Sequence, residues 1–221
     1  MMRFCATLSR WRLLAILPAV LFVLLAQAAP ANASISGDMN EFTGSDMIGR
    51  AMFEQVGNDI KVTLTTVQEP GHPNTGDWGA FWFNINDDAL LAGMTVVGAD
   101  ITAYDFSGGV GSVGSSNNNL NGGGSPGLMD AGIAFGQPGG SGGLLDMTMF
   151  TLSHPSGLTL SLFNNQTIAG RLQSVGHASC GGDGSSKIVG AVESGDGDVP
   201  EPASLALMGV ASLCFLRRRG G

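Results

Sequence analysis

The sequence is poor in the residues that usually announce a chemistry. Of its three cysteines, Cys5 and Cys214 fall in apolar end segments, so the stretch between them holds Cys180 alone. One thiol excludes an internal disulfide, and stability has to come from a hydrophobic core. The three histidines, His72, His154 and His177, show no H-x-x-x-H spacing and no neighbouring cysteine pair, so they do not form a metal set. His72-Pro73 and His154-Pro155 read instead as turns. Positive charge is scarce as well. Arg50, Lys61, Arg171 and Lys187 are the only basic residues from Ser34 to Asp198, against seventeen carboxylates, a net charge of about −13. Without a basic patch, nucleic acid and anionic lipid are excluded as partners. No segment of this body has a convincing helical period.

What the chain does have is a topogenic signal at each end. Arg3, Arg10 and Arg12 precede the apolar run Leu13–Ala26, and Ala31-Asn32-Ala33 follows as a small-x-small cleavage pattern. This is the layout of a signal peptide over 1–33, cut by signal peptidase to leave Ser34 as the mature start. At the other end stand Pro200-Glu201-Pro202, the apolar run Ala203–Leu216, and Arg217-Arg218-Arg219. As a helix that run would span about 21 Å. It is shorter than a bilayer core of roughly 30 Å, which predicts transient membrane insertion. The arginines would hold the extreme end in the cytoplasm and the body outside.

The C-terminal arrangement resembles the PEP-CTERM sorting signal of Gram-negative bacteria that make exopolysaccharide. The same tail is sometimes labelled an ice-binding-protein C-terminal domain. The resemblance implies processing near the Pro-Glu-Pro motif by an exosortase, a membrane-embedded protease or transpeptidase. It also implies an inner-membrane-anchored precursor with a periplasmic body, destined for the cell surface or the medium. Ala80–Ile85, Asp130–Gly136, Gly170–Gly176 and Ser186–Gly190 resemble a recurrent β-rich ectodomain of such proteins.

The body, 34–192, reads as all-β, followed by a polar linker over 193–198 and the sorting segment over 199–221. Met47–Val56 and Asp59–Val67 alternate with period two around a Gly57-Asn58 hairpin turn. Trp78–Ile85, Met94–Tyr104, Ala131–Phe135, Leu144–Leu152, Leu158–Phe163, Ile168–Val175 and Lys187–Val192 are further strand candidates. About nine short strands predict a two-sheet sandwich, Ig-like or jelly-roll, because one flat sheet would leave too much apolar surface uncovered. Between Gly108 and Gly143, 14 of 36 residues are glycine, which predicts flexible loops that contribute little core, around a short strand near Phe135.

Several motifs dissolve on inspection. Gly109-x-Gly111-x-x-Gly114 lacks the helix a dinucleotide site requires, and the G-x-S-x-G matches at Ser125 and Ser141 lack the strand-to-helix elbow of a serine hydrolase. No catalytic set is assembled, and the protein reads as a non-enzyme. Thr63 and Thr65 are too short a threonine ladder for an ice-binding face. Asp87, Asp88, Asp183, Asp196 and Asp198 place carboxylates in loops, the oxygen chemistry of a calcium site, although loop aspartates equally form Asx turns. No other cofactor is expected. In the strand from Trp78, alternation puts Phe81, Phe83 and Ile85 toward the core and Trp78 with Trp82 on the opposite face. Exposed, the two indoles would stack on sugar rings; covered, they would belong to a strand buried on both faces. The composition and the two end signals predict a structural or adhesive protein of the exopolysaccharide layer, with a carbohydrate-binding module using Trp78 and Trp82 as the alternative.

Overall fold

The computed structural model describes residues 33–136, 145–177 and 182–194, all within one compact unit. The terminal segments 1–32 and 195–221 lie outside the described residues, and with them the signal-peptide run, Ala31, Pro200-Glu201-Pro202, the expected C-terminal helix and Arg217–Arg219. Ten strands follow one another: β1 Ser34–Gly44, β2 Ile48–Val56, β3 Asp59–Val67, β4 Asn74–Phe83, β5 Thr95–Val97, β6 Ile101–Asp105, β7 Ala131–Phe135, β8 Met147–Ser153, β9 Thr167–His177 and β10 Gly184–Ala191. Among the described residues the only helical elements are two single 3₁₀ turns, Asp88–Leu90 and Leu160–Leu162.

The all-β expectation holds, but the two-sheet sandwich is corrected. All ten strands belong to one antiparallel sheet, in the order β5-β8-β3-β2-β1-β10-β9-β4-β7-β6. The sheet curls on itself like a barrel. Its outermost strands, β5 and β6, are successive in the chain and joined by only three residues, 98–100. Asp100 ties the two ends: its carbonyl accepts from the Gly136 amide at 2.8 Å and its carboxylate from the Thr148 hydroxyl at 2.8 Å. On the same seam the Trp78 amide donates to the Leu145 carbonyl at 3.0 Å, and the Leu145 amide to the Asp77 carboxylate at 2.5 Å. Curling supplies the second wall that a flat sheet would lack.

Inside the curl, side chains from strands far apart in the sheet order meet. Phe53 of β2 lies 4.8 Å from Phe163 and 6.5 Å from Phe81, centroid to centroid, and Phe150 of β8 packs on Phe81 at 6.2 Å and Phe135 at 5.8 Å. Met39, Ile60, Val62, Leu64, Leu152, Ile168, Leu172 and Ile188 complete this interior. β2 and β3 pair from Ile48↔Val67 to Val56↔Asp59. Gly57 closes the hairpin at φ +63, glycine first, the order of a type II′ turn.

Two elements differ from the sequence pattern. β1 joins β2 to β10, yet its inward positions are Ile35, Gly37 and Met39, too few large apolar residues to register. Gly37 has to be small, since a Cβ there would fall 2.4 Å from the Ala191 carbonyl oxygen. Conversely, Leu158–Phe163 alternates like a strand but contains a 3₁₀ turn, its bonds running from the Leu162 amide to Thr159 and from the Phe163 amide to Leu160. Gln55 holds this segment against the β2–β3 hairpin: its amide nitrogen donates to the Leu158 carbonyl at 3.0 Å, and its oxygen accepts from the Leu160 amide at 3.2 Å.

On the surface of β1 and β2, Arg50 forks onto its register partner Asp38 at 2.6 and 2.8 Å. Hydrogen bonding to Arg50 holds the Asp38 carboxyl below the ordinary aspartate range. A depressed carboxylate pKa stabilises the folded state above the unfolded value near 3.9 and loses that contribution as pH falls through the folded value. Both side chains are nearly half exposed, so solvent screening leaves the pair worth less than about 1 kcal/mol. Asp38→Asn is expected to lower stability by that small amount at pH 7, with wild type and variant converging in acid. Urea titrations at pH 7 and pH 3 would check both.

Candidate functional site

The strand that carries the tryptophans sets the geometry of the most developed surface feature. Along β4 the pairing with β9 shifts between Trp78 and Ala80, so Gly79 is an extra residue in the ladder. Such a bulge moves everything beyond it by one position and reverses its face. Trp78 therefore joins Phe81 and Phe83 inside the curl, while Ala80 and Trp82 point to the outer face. The expected shared tryptophan face is corrected, whereas the reading of a strand buried on both faces is the one the burial supports. Trp78 and Trp82 lie on opposite sides of the sheet, and each is 0% exposed, so neither is a platform for a sugar ring.

What covers Trp82 is the glycine-rich segment, and the expectation that it contributes little core is corrected for 108–130. Residues 108–130 form a lid over β4, β7 and β9, anchored by Val110, Val113, Leu120 and Met129 in a second apolar cluster with Ala80, Trp82, Ala134 and Ala169. Glycine serves the lid by permitting its tight turns: Gly108, Gly109, Gly114, Gly122, Gly124 and Gly127 all have positive φ, a region other residues seldom enter. Amide bonds cross within it, from Val110 to Met129 at 2.6 Å and from Leu120 to Gly111 at 3.0 Å. Gly132 has to be glycine for a different reason. A Cβ there would lie 2.9 Å from the Trp82 indole.

Between the lid and the sheet lies a cleft of about 440 Å³ lined by Thr102, Ala103, Gly114, Ser115, Asn117, Asn118, Ala134, Gly136 and Gln173. Its floor follows from register. Lys187 of β10 pairs with Arg171 of β9, Arg171 with Ala80 of β4, Ala80 with Ala134 of β7, and Ala134 with Ala103 of β6. Ala134 and Ala103, at the end of that row, line the space, while Ala80 is covered by the lid and Arg171 and Lys187 stand further along the row, outside the lining. Asn118, 5% exposed, donates to the Gly79 carbonyl at 3.1 Å, while its own Oδ1 is buried without a partner.

Charge is distributed unevenly around this row. Arg50 and Lys61 are neutralised by Asp38 and Glu54 at 2.6 and 3.0 Å. Arg171 and Lys187 are not paired with any carboxylate among the described residues. Lys187, buried, donates to Asn119 Oδ1 at 2.8 Å and to the Asn121 carbonyl, both neutral. Arg171 makes no hydrogen bond among the described residues, and its Nε is buried. Burial lowers the pKa of both groups, with Arg171 adding like-charge repulsion on Lys187. Half the body's positive charge is thus held partly desolvated on one row. None of this was visible as a motif. Arg171, Lys187, Asn118 and Gln173 are scattered through the chain, and the one signal was the scarcity of cations.

The other sequence-derived candidates are not assembled here. Asp87 caps the first 3₁₀ turn through the Ala89 amide at 3.1 Å, with Asp88 inside that turn, and Asp183 is exposed. Asp196, Asp198, Cys180 and Ser141 lie outside the described residues. Among the described residues, no three His, Cys, Asp or Glu side chains converge as metal ligands would. Ser125 closes a turn, its hydroxyl accepting from the Gly127 amide at 3.2 Å. His72 lies in the turn bridged by Glu69 and contacts Asp46 at 2.8 Å; His154 accepts from the Ser156 amide at 3.1 Å.

Among the described residues, no helix is long and apolar enough to cross a membrane. No curated protein and no solved structure matches the chain. Residues 198–219 do match the PEP-CTERM protein-sorting motif. The chain therefore carries the address of an exported protein whose membrane-anchored precursor is processed by an exosortase for delivery to the surface or beyond.

Proposed function

We propose that the mature protein is a non-enzymatic component of the extracellular matrix, structural or adhesive within the exopolysaccharide layer of a Gram-negative cell. The observation that carries this reading is the sorting motif at 198–219, attached to a body with the charge and fold of a soluble external domain. A net charge of about −13 keeps such a body dispersed and away from nucleic acid and anionic membrane. The route would begin with cleavage by signal peptidase before Ser34, the first residue of β1. The body would then be held by transient membrane insertion of the C-terminal segment until exosortase acts.

The test begins with the ends. Intact mass spectrometry of cell and medium fractions from the native host is expected to show a chain starting at Ser34 and lacking the segment after Pro200-Glu201-Pro202. Replacing those three residues by alanine is expected to abolish the C-terminal loss and retain the chain in membranes. An unprocessed wild-type C-terminus would overturn the sorting step, and a processed protein absent from washed matrix would overturn the structural role.

A further inference from the structure

We propose that the cleft between the glycine-rich lid and the sheet binds an acidic sugar, a hexuronate unit of a polysaccharide, with its carboxylate on Arg171. The space itself, about 440 Å³, falls within the range of small-molecule sites. Five of the nine lining residues bring a hydroxyl or an amide, Thr102, Ser115, Asn117, Asn118 and Gln173, with two alanines and two glycines between them. Side chains of this kind both donate and accept, matching a ring whose hydroxyls do the same. No large apolar side chain lines the space, which disfavours a lipid chain or the apolar anchors of a peptide.

The anionic end is assigned by what is unsatisfied. Arg171 lies on the outer face of β9 two residues from the lining Gln173 and in register with Ala80, whose next neighbour is the lining Ala134. Its guanidinium makes no ion pair or hydrogen bond among the described residues, although seventeen carboxylates stand between Ser34 and Asp198. A planar guanidinium accepts a carboxylate through two parallel bonds. Lys187 beside it stays occupied by Asn119 and Asn121 and adds field without competing for contact. The surrounding charge repels anions at long range, so binding here has to come from these local contacts rather than from steering.

This inference deepens the matrix reading, on which it rests only for where such a sugar would be met. Calorimetry of the full-length chain in mild detergent would use a glucuronate tetrasaccharide as probe. Cellotetraose, acetate and a tetraglutamate peptide would be run beside it. The expected result is saturable uronate binding, at least about tenfold tighter than each of the other three. Arg171→Gln is expected to weaken it about tenfold or more. Ala103→Trp, on the partly exposed edge strand, fills the cleft without touching the charge and is expected to abolish binding. Thermal unfolding followed in the far-ultraviolet would confirm that both variants retain the cooperative fold. Equal binding of cellotetraose would overturn the charge assignment, and equal binding of acetate or tetraglutamate would overturn the sugar. Full affinity in either variant would overturn the site. The matrix reading fails by a separate readout, absence of the protein from washed matrix, whatever the tetrasaccharide does.

Discussion

Trp82→Ala is expected to cost about 3–5 kcal/mol, the range for deleting a buried indole, and to be felt on one side of the sheet. Trp82 belongs to the outer cluster, wedged between Ala80, Ala134 and Ala169 and the lid residues Val110, Val113, Leu120 and Met129. Removing it takes from the lid its largest buried contact while the interior of the curl keeps its own. Hydrogen exchange should therefore accelerate most at Val110, Val113, Leu120 and Met129, whose amides are bonded within the lid. The β2–β3 amides should change only as far as global stability falls. Trp78→Ala should cost a similar amount but loosen every strand together, because Trp78 sits in the interior with Phe81, Phe83 and Ile188. Phenylalanine provides the control. Neither indole Nε1 has a hydrogen-bond partner, so replacement by Phe removes an unsatisfied donor along with a little area. Its cost should stay well below that of alanine, since the ring that remains keeps most of the contact. If Trp82→Ala opened the hairpin as much as the lid, the two-sided architecture would be wrong.

The same two residues show where the sequence pattern stops being legible. Alternation along β2 and β3 is clean, β7 is a short apolar run between turn signals, and the limits of all three emerge almost as read. In β4 alternation is correct on either side of Gly79 and wrong across it. A bulge has no marker beyond a glycine, and this chain has 35 of them. β1 illustrates a larger consequence of a small omission. Without it, the sheet order separates into β5-β8-β3-β2 and β10-β9-β4-β7-β6, which is the two-sheet sandwich the pattern suggests. One weakly apolar strand pairing Met39 with Gly49 on one side and Gly190 on the other turns two sheets into one.

The glycine-rich segment failed to declare itself for a related reason. Glycine content measures backbone freedom in the unfolded chain, and 108–130 offsets that freedom with four apolar anchors spaced at 110, 113, 120 and 129. No secondary-structure period produces that spacing, because the anchors are set by turns. The cleft beneath it depends on the lid being fixed. Its lining draws on β6, β7, β9 and lid residues 114–118, which only the assembled sheet brings together. The sorting motif lies at the opposite extreme: a contiguous run of sequence read by other proteins, it is legible without any fold.

Gly170→Ala is expected to destabilise by about 1–3 kcal/mol, against the sign that backbone entropy alone would give. Gly170 has no positive φ, so alanine can adopt its conformation, and stiffening the unfolded chain should by itself add about 0.4–1 kcal/mol of stability. The obstacle is Trp78. A Cβ at Gly170 would fall 2.7 Å from its Cζ3 and 3.0 Å from Cγ1 of Ile188. The indole is fully buried and has nowhere to swing. Gly49 faces the same ring from the other side, its Cβ position 2.9 Å from Cη2. The two glycines are thus the recess into which the benzo edge of Trp78 fits. Trp78→Phe vacates that edge, since a phenyl ring ends short of Cζ3. In that background only the Ile188 contact remains, and Gly170→Ala should lose most of its cost. The resulting coupling energy should exceed about 1 kcal/mol, well above the scatter seen between independent sites. Additive costs would mean that Gly170 is required for something other than the indole, and the packing account of β9 against Trp78 would have to be abandoned.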